Sequence, residues 1–260
     1  MTSLFLPPIA KIGGVGLNLA SLDQAVTQIC TDAISRRGSC VFTLNLDHLV
    51  KLKSDPDFAR AYKSASYVSA DGAPVVFLAR RQGAKLERTA GADMIVPLCA
   101  EAARRSLPVY FFGSTGPALK GAADDLARRF PALEIAGMEA PPFGFKPRSR
   151  AADEAAERIA ASGARICMVA LGAPKQEIFA AGAFKAFPEI SYLGIGAALD
   201  FLSGHQSRAP EFMQKTGTEW IWRLMGNPRR MAGRYGKCAL VLADMTLVEP
   251  LRQKLGLLSK

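Results

Sequence analysis

The sequence contains few histidines and cysteines, and each shortage excludes a class of protein. Among its 260 residues only His48 and His205 are histidines, which excludes a His-rich metal centre. Its five cysteines are scattered and form no CxxC pair. We therefore expect neither a zinc site nor a disulfide framework, and the thiols are predicted to be reduced and buried.

Long apolar runs are also missing. The longest, residues 192–202 and 238–248, reach about half of the ~20 residues that a membrane-spanning helix needs, and each contains an aspartate. Residues 1–11 have no charged segment before their apolar residues, and two prolines interrupt them, so we expect no secretory signal there. These features predict a soluble, cytoplasmic protein.

Acidic residues are outnumbered, and the basic excess is unevenly distributed. The chain has 33 Lys and Arg against 23 Asp and Glu, a net charge of +10. Ten of these basic residues and four of the acidic ones lie in residues 208–260, so this segment carries most of the excess. Such a charge predicts a polyanionic partner: a phosphate, a nucleic acid or an anionic membrane.

Apolar runs and helical patterns alternate over most of the chain. The predicted strands cover residues 41–44, 67–69, 109–112, 133–135, 166–171 and 190–195, and helical patterns lie between them. This alternation predicts an α/β fold with a Rossmann-like, mostly parallel sheet flanked by helices. Ligands bind such sheets at the carboxyl ends of the strands, so we expect the chemistry in the loops that follow them.

A second region is predicted after the sheet. Residues 1–207 are interpreted as the α/β catalytic core, and residues 208–260 as a basic, amphipathic, helical appendage for membrane association. Trp220 lies close to Arg223, Arg229 and Arg230, a composition typical of a segment at a membrane surface. The alternative is a helix whose tryptophans are buried in the core.

Two predicted strand ends carry polar side chains suited to a sugar. Thr43 and Asn45 are two residues apart, so on a strand they share a face and can bond sugar hydroxyls. Alternatively, Asn45 only caps the next helix. Asp71 precedes Gly72, which permits close backbone approach, so its carboxylate could serve as a general base. An ordinary Asp-Gly turn is the alternative.

The loop after the most apolar strand is unusually polar. Gly172 ends that strand, Pro174 suits the first helical position, and Lys175, Gln176 and Glu177 fill the first turn. Capping needs only one acidic residue, so both ligand contact and capping remain open for this cluster.

Three further residues are candidates for the site, but their sequence context indicates a role less specifically. Arg88 lies in a loop and has the planar donors that grip a diphosphate, although most surface arginines have no such role. Gly113 begins a turn that could offer backbone N–H groups to a phosphate. Asp200 stands in an apolar run and needs a ligand or a partner such as Arg208, unless it simply caps a helix.

The order and spacing of these fragments resemble those of a known family. The chain is similar to the WecG/TagA/CpsF glycosyltransferases (family GT26) in the following motifs: Thr43-x-Asn45, Ala70-Asp71-Gly72, Glu87-Arg88-x-x-Gly91-x-Asp93, Gly172-Ala173-Pro174-x-Gln176-Glu177, Gly194-x-Gly196-x-x-x-Asp200, Arg208-Ala209-Pro210, Gly217-x-Glu219-Trp220, Arg223-Leu224 and Pro228-Arg229-Arg230.

The resemblance implies an inverting hexosyltransferase of the EC 2.4.1 type that uses no metal or other cofactor. It would move an N-acetylmannosamine-type or glucose-type sugar from a UDP-sugar to a polyprenyl-diphosphate-linked saccharide during synthesis of an exopolysaccharide or cell-envelope polymer. It also implies peripheral attachment at the inner face of the cytoplasmic membrane, and the chain could form a homo-oligomer.

The same resemblance implies roles for individual residues. Asp71 would be the general base, and Thr43 and Asn45 would line the sugar pocket. Arg88 would meet the diphosphate, and Gln176 would contact donor or acceptor. The arginines of the appendage would lie over the site: Arg208, Arg223, Arg229 and Arg230.

Two other classes remain as alternatives. The net charge of +10 suits a nucleic-acid-binding protein, but the basic residues near Trp220 lie among apolar ones and no known nucleic-acid motif is present. A nicotinamide-dependent oxidoreductase shares the predicted layers, but the chain lacks the GxGxxG fingerprint. We therefore expect no nucleic acid among the partners.

Overall fold

Eight strands form a small hairpin and a larger sheet. The computed structural model describes residues 6–248, apart from the side chains of Lys215 and Arg230. Along the chain the strands are β1 (Ala10–Ile12), β2 (Val15–Leu17), β3 (Cys40–Leu44), β4 (Tyr67–Ala70), β5 (Val109–Gly113), β6 (Ile135–Glu139), β7 (Ile166–Ala170) and β8 (Ser191–Gly194). β1 and β2 form the antiparallel hairpin.

Helices connect and follow these strands. They are α1 (Leu22–Ile34), α2 (Leu46–Ser54), α3 (Pro56–Lys63), α4 (Ala73–Arg81), α5 (Gly91–Arg104), α6 (Gly116–Arg129), α7 (Arg150–Ala161), α8 (Lys175–Ala186), α9 (Ala198–Leu202), α10 (Glu211–Lys215), α11 (Glu219–Gly226) and α12 (Pro228–Ala243), which continues into a π-helical turn at Asp244–Val248.

The larger sheet is parallel throughout and confirms the predicted fold class. Its six strands lie in the order β4-β3-β8-β7-β5-β6. Every residue of β3, β4, β5, β7 and β8 is buried, as expected for strands covered by helices on both faces.

One predicted strand was misplaced. The expected strand at residues 133–135 begins instead at Ile135 and runs to Glu139. β6 lies at one edge of the sheet, and its residues are only partly covered, so their apolar pattern is weak. β4 lies at the other edge but is buried, because Leu19 bridges to Ser69 there. Gly137 also lies under the ring of Tyr110, where a Cβ atom would come within 2.5 Å of the ring.

The sheet topology opens a crevice at the carboxyl ends of the central strands. The helices that follow β3 and β7 pack in one apolar cluster, on one face of the sheet. The helix that follows β8 packs in a second cluster, which also contains α1, α5 and α6. Neighbouring strands therefore send their chains to opposite faces, and such a divergence is where parallel sheets bind ligands.

The C-terminal helices cross the open end of the sheet and are anchored there. Arg234 on α12 pairs with Asp47 on α2 at 2.9 Å, and Val241 on α12 is buried in the core. Trp220 and Trp222 keep 47% and 37% exposure, so neither is a fully buried core tryptophan. Within residues 6–248, no helix combines the length and apolarity that crossing a bilayer requires. The division at residue 207 stays a prediction.

Candidate functional site

A cleft of about 930 Å³ occupies the crevice. It lies at the carboxyl ends of β3, β4, β7 and β8, and helices α11 and α12 cover it. Its size is within the range of small-molecule sites. The sequence-predicted residues that line it are Thr43, Asn45, Asp71, Gly172, Gln176, Arg208 and Arg223.

Asp71 is held at the tip of β4 by its neighbours. Its backbone N–H donates to the carbonyl of Leu44 at 2.8 Å, and Gly72 turns the chain with a φ of +94°. Asn45 Nδ2 donates to Asp71 Oδ2 at 3.2 Å, while Asn45 Oδ1 accepts from the backbone N–H of His48 at 3.0 Å. Asn45 thus caps α2 and positions the carboxylate at the same time.

A buried network fixes the floor of the cleft behind Thr43. Tyr62 Oη donates to the Thr43 carbonyl at 2.6 Å, and His48 Nδ1 lies 2.8 Å from the same carbonyl. Nδ1 also lies 2.7 Å from Tyr62 Oη. Because the carbonyl can only accept and the hydroxyl already donates to it, we assign the hydrogen to Nδ1. Burial, followed by the charges of Glu177 and Asp71, raises the pKa of Tyr62, so its hydroxyl stays protonated.

The three polar side chains in the first turn of α8 have different surroundings. Gln176 lines the cleft, and its Oε1 accepts from the backbone N–H of Gly196 at 3.0 Å. Glu177 is 1% exposed and lies behind it, accepting from Gln176 Nε2 at 2.8 Å. Lys175 is exposed and does not line the cleft. Glu177 therefore orients the Gln176 amide and does not meet a ligand directly.

Asp93 brings two predicted arginines together. Arg88 Nη2 pairs with Asp93 Oδ2 at 2.7 Å, and Arg208 Nη2 donates to Asp93 Oδ1. Arg208 lines the cleft, but Arg88 lines a smaller neighbouring pocket. The uncapped N-terminus of α5, at Gly91, also lines the cleft, and its backbone N–H groups favour an anion.

The C-terminal helices supply further cations. Arg223 Nη2 pairs with Glu219 Oε1 at 2.5 Å. Burial lowers the pKa of Arg223, but the charges of Glu219 and Asp71 outweigh burial and raise it overall. Arg223 therefore stays charged and its guanidinium lies within electrostatic reach of Asp71.

Lys51 and Arg234 share a carboxylate on α2. Both pair with Asp47, and both line the cleft. Burial lowers the pKa of Lys51 to about 8, and the charge of Arg234 acts in the same direction. Lys51 is thus a cation of the cleft that is easily neutralised.

The chain matches a known family over nearly its whole length. A family model described as the glycosyl transferase WecG/TagA/CpsF family matches residues 10–256. The chain belongs to this family. The motif resemblance is therefore confirmed, and the protein is a glycosyltransferase.

Several predicted residues of this glycosyltransferase lie outside the cleft. Gly113 has a φ of +116°, and a Cβ there would come within 2.5 Å of the Ala170 backbone. Asp200 accepts from Ser114 Oγ at 2.8 Å and does not pair with Arg208. Both positions are explained by packing and hydrogen bonding within the fold.

Some predicted residues of the C-terminal helices also lie outside the cleft. Trp220 lines the smaller neighbouring pocket, and Arg229 is exposed outside both cavities. Arg230 lies on α12, and its side chain is outside the described part of the structure. Among the described residues, no group of three or more His, Cys, Asp or Glu side chains is placed to hold a metal ion.

Sequence reasoning missed several lining residues of the glycosyltransferase. His48, Lys51, Trp222 and Arg234 all line the cleft. His48 and Lys51 lie three and six residues after Asn45, on α2, so recognising that helix would have found them. Arg234 meets α2 only through the tertiary fold, and no local signal indicates this contact.

Proposed function

We propose that this glycosyltransferase moves a sugar from a UDP-sugar to a hydroxyl of a polyprenyl-diphosphate-linked saccharide, with inversion and without a metal. The observation that carries the proposal is the position of Asp71. Its carboxylate lies in a large polar cleft, is held by Asn45, and shares that cleft with four cationic side chains.

Asp71 supplies the general base in this proposal. A sugar hydroxyl is a weak nucleophile at neutral pH, so a carboxylate within hydrogen-bond reach assists its attack by about 10²–10⁴-fold. In an inverting reaction the hydroxyl attacks the anomeric carbon from the side opposite the leaving UDP. Asp71 can take the proton because Asn45 occupies one of its oxygens and leaves the other available.

Cations of the cleft stabilise the charge on the departing UDP. Arg208, Arg223, Arg234 and Lys51 line the same space as Asp71. A guanidinium offers five N–H donors, so an arginine already paired with a carboxylate keeps donors for a phosphate. Preorganised donors aimed at a developing charge are a major source of catalysis, and they take the place of a metal here.

The exposed side chains of α11 support a membrane-bound acceptor. Trp220, Trp222 and Met225 are exposed beside Arg223 and Arg229. Aromatic side chains favour the headgroup region, and each basic residue near an anionic leaflet contributes about 1 kcal/mol. We propose peripheral attachment at the inner face of the cytoplasmic membrane through this segment.

The decisive experiment is a transfer assay with a panel of UDP-sugars and a polyprenyl-diphosphate saccharide, with and without EDTA. N-acetylmannosamine-type and glucose-type donors are compared first. The donor that binds should also raise the melting temperature, because a ligand of the folded state stabilises it. Loss of transfer in EDTA, restored by a divalent cation, would contradict the metal-free mechanism. Absence of transfer with every donor would contradict the proposed reaction.

A further inference from the structure

A second cavity adjoins the cleft at Asp71. This side pocket of about 380 Å³ lies between the start of α4 and helices α11 and α12. The cleft and the side pocket share six lining residues: Asn45, Asp47, Asp71, Glu219, Arg223 and Arg234. Asp71 therefore belongs to the walls of both cavities.

Away from this boundary the side pocket is lined mostly by apolar side chains, and also by Arg88 and Gln214. Leu46, Pro74 and Leu242 line it together with Trp220 and Tyr235. The two aromatic rings contact edge to face, with centroids 5.8 Å apart. Trp220 is 47% exposed, so its ring still offers apolar surface to a ligand. Removing an apolar ligand from water against such a wall is favourable.

The charged residues that line the side pocket are three arginines and three carboxylates, Asp47, Asp71 and Glu219. Arg88, Arg223 and Arg234 line it. Asp93, Glu219 and Asp47 respectively hold them in place. Since each guanidinium has five donors, these pairs fix its position and still leave donors for phosphate oxygens. The free donors of these arginines and the apolar side chains of the pocket thus complement a molecule that has an apolar chain and an anionic group.

We propose that the side pocket binds the first part of the acceptor's polyprenyl chain, and that Arg88, which lines this pocket and not the cleft, binds the acceptor's diphosphate. The inference rests on the proposed function, in which the acceptor is such a lipid. The acceptor sugar then reaches Asp71 from the side pocket, and the donor sugar reaches Asp71 from the cleft. The two substrates meet at the carboxylate that both cavities share.

The two tryptophans of the chain allow each cavity to be tested separately. Trp220 lines the side pocket and Trp222 lines the cleft. The full-length Trp222→Phe variant reports on the side pocket by its remaining fluorescence, and Trp220→Phe reports on the cleft. Each variant is titrated with farnesyl diphosphate, inorganic diphosphate, farnesol and UDP.

We expect Trp220 to respond to farnesyl diphosphate with a Kd at least about tenfold below those for inorganic diphosphate and farnesol, because only the joined molecule contacts both Arg88 and the apolar side chains. No response of Trp220 to farnesyl diphosphate would overturn the proposal. So would an affinity for farnesol equal to that for farnesyl diphosphate, since Arg88 would then bind nothing.

A pocket-filling variant provides a second test. Ala239→Phe adds a ring inside the side pocket, whereas the control Leu240→Phe adds one at a 72% exposed position that does not line it. We expect Ala239→Phe to raise the Kd for farnesyl diphosphate about tenfold and the control to change it less than about twofold. Equal affinities of the two variants would overturn the proposal. If Ala239→Phe fails to fold, the Trp220 titration still decides.

Failure of the proposed function gives results that differ from failure of the side-pocket proposal. In that case Trp222 would not respond to UDP and no UDP-sugar would donate its sugar, whatever binds in the side pocket. If UDP binds and transfer occurs while Trp220 ignores farnesyl diphosphate, only the side-pocket proposal is overturned.

Discussion

The two walls of the cleft are held in different ways. On the sheet wall, Asp71 is fixed by a backbone hydrogen bond and by Asn45, which itself caps α2. On the helical wall, Arg223 is fixed by an ion pair with Glu219 in which the arginine is about half exposed. A phosphate can replace a carboxylate as an arginine's partner, but the backbone bonds have no such substitute. In the proposed mechanism, the sheet wall therefore fixes the general base, and the helical wall adapts to charged substrates.

The largest effect should follow a change on the sheet wall. Asp71→Asn keeps the shape of the side chain but removes the base, so transfer should fall by about 10²–10⁴-fold. Binding of UDP, measured by calorimetry, should change little. Asp124→Asn on the exposed face of α6 is the matched control. A variant Asp71→Asn with turnover within threefold of wild type would remove Asp71 from the mechanism.

A smaller effect should follow a change on the helical wall. Arg223→Gln removes a charge-assisted partner of the phosphates, which is worth about 1.5–3 kcal/mol, or roughly 10- to 100-fold in kcat/KM. Steady-state kinetics measures this loss. Lys237→Gln, on the exposed part of α12 outside both cavities, is the control. If Arg223→Gln lost as much as Asp71→Asn, the distinction between the walls would fail.

A milder effect should follow a change behind the sheet wall. Glu177→Ala frees the Gln176 amide that Glu177 orients, so we expect the donor KM to rise several-fold while kcat stays nearly constant. Glu177→Gln retains an acceptor for that amide and should recover most of the loss. The exposed Glu154→Ala is the control. An unchanged donor KM in Glu177→Ala would show that Gln176 needs no such support.

The smallest effect on transfer should come from Gly113→Ala, which alters stability instead. Its Cβ would lie 2.5 Å from the Ala170 backbone at a φ of +116°, so the free energy of unfolding should fall by ~1–3 kcal/mol. Gly116→Ala meets nothing within 4 Å and should change it by less than about 0.5 kcal/mol. Urea denaturation compares them. Equal stability of the two variants would contradict the packing argument.

Sequence patterns predicted the central sheet because its strands are continuous apolar runs. β7 follows directly from such a run, and Gly172 marks its end. β6 was misplaced because its residues are only partly covered and its apolar pattern is weak, whereas β4, at the opposite edge, is buried and was predicted. Local propensity describes a buried strand well and a partly exposed strand poorly.

The site residues at the strand ends were predictable from the sequence, and those placed by contacts between distant helices were not. Thr43 lies near the end of β3, and Asn45 and Asp71 directly follow β3 and β4, so topology alone brings them together at one edge of the sheet. Arg234 reaches the cleft only because α12 packs on α2, a contact between residues far apart in the sequence. Resemblance to the family pointed to the C-terminal arginines, but only the tertiary fold shows which of them line the cleft.

The position of Asp93 between two arginines predicts how the two substrates affect each other's binding. It is the common counter-ion of Arg208, at the cleft, and Arg88, at the side pocket. If a donor phosphate binds Arg208 and breaks its ion pair with Asp93, Asp93 pairs with Arg88 alone. If an acceptor phosphate binds Arg88, Asp93 pairs with Arg208 alone. Donor and acceptor should therefore alter each other's affinity by an equal factor, because such linkage is reciprocal. Double-reciprocal plots of initial rates over a grid of both substrates should intersect away from the 1/[substrate] axis, and in Asp93→Asn the intersection should move towards that axis.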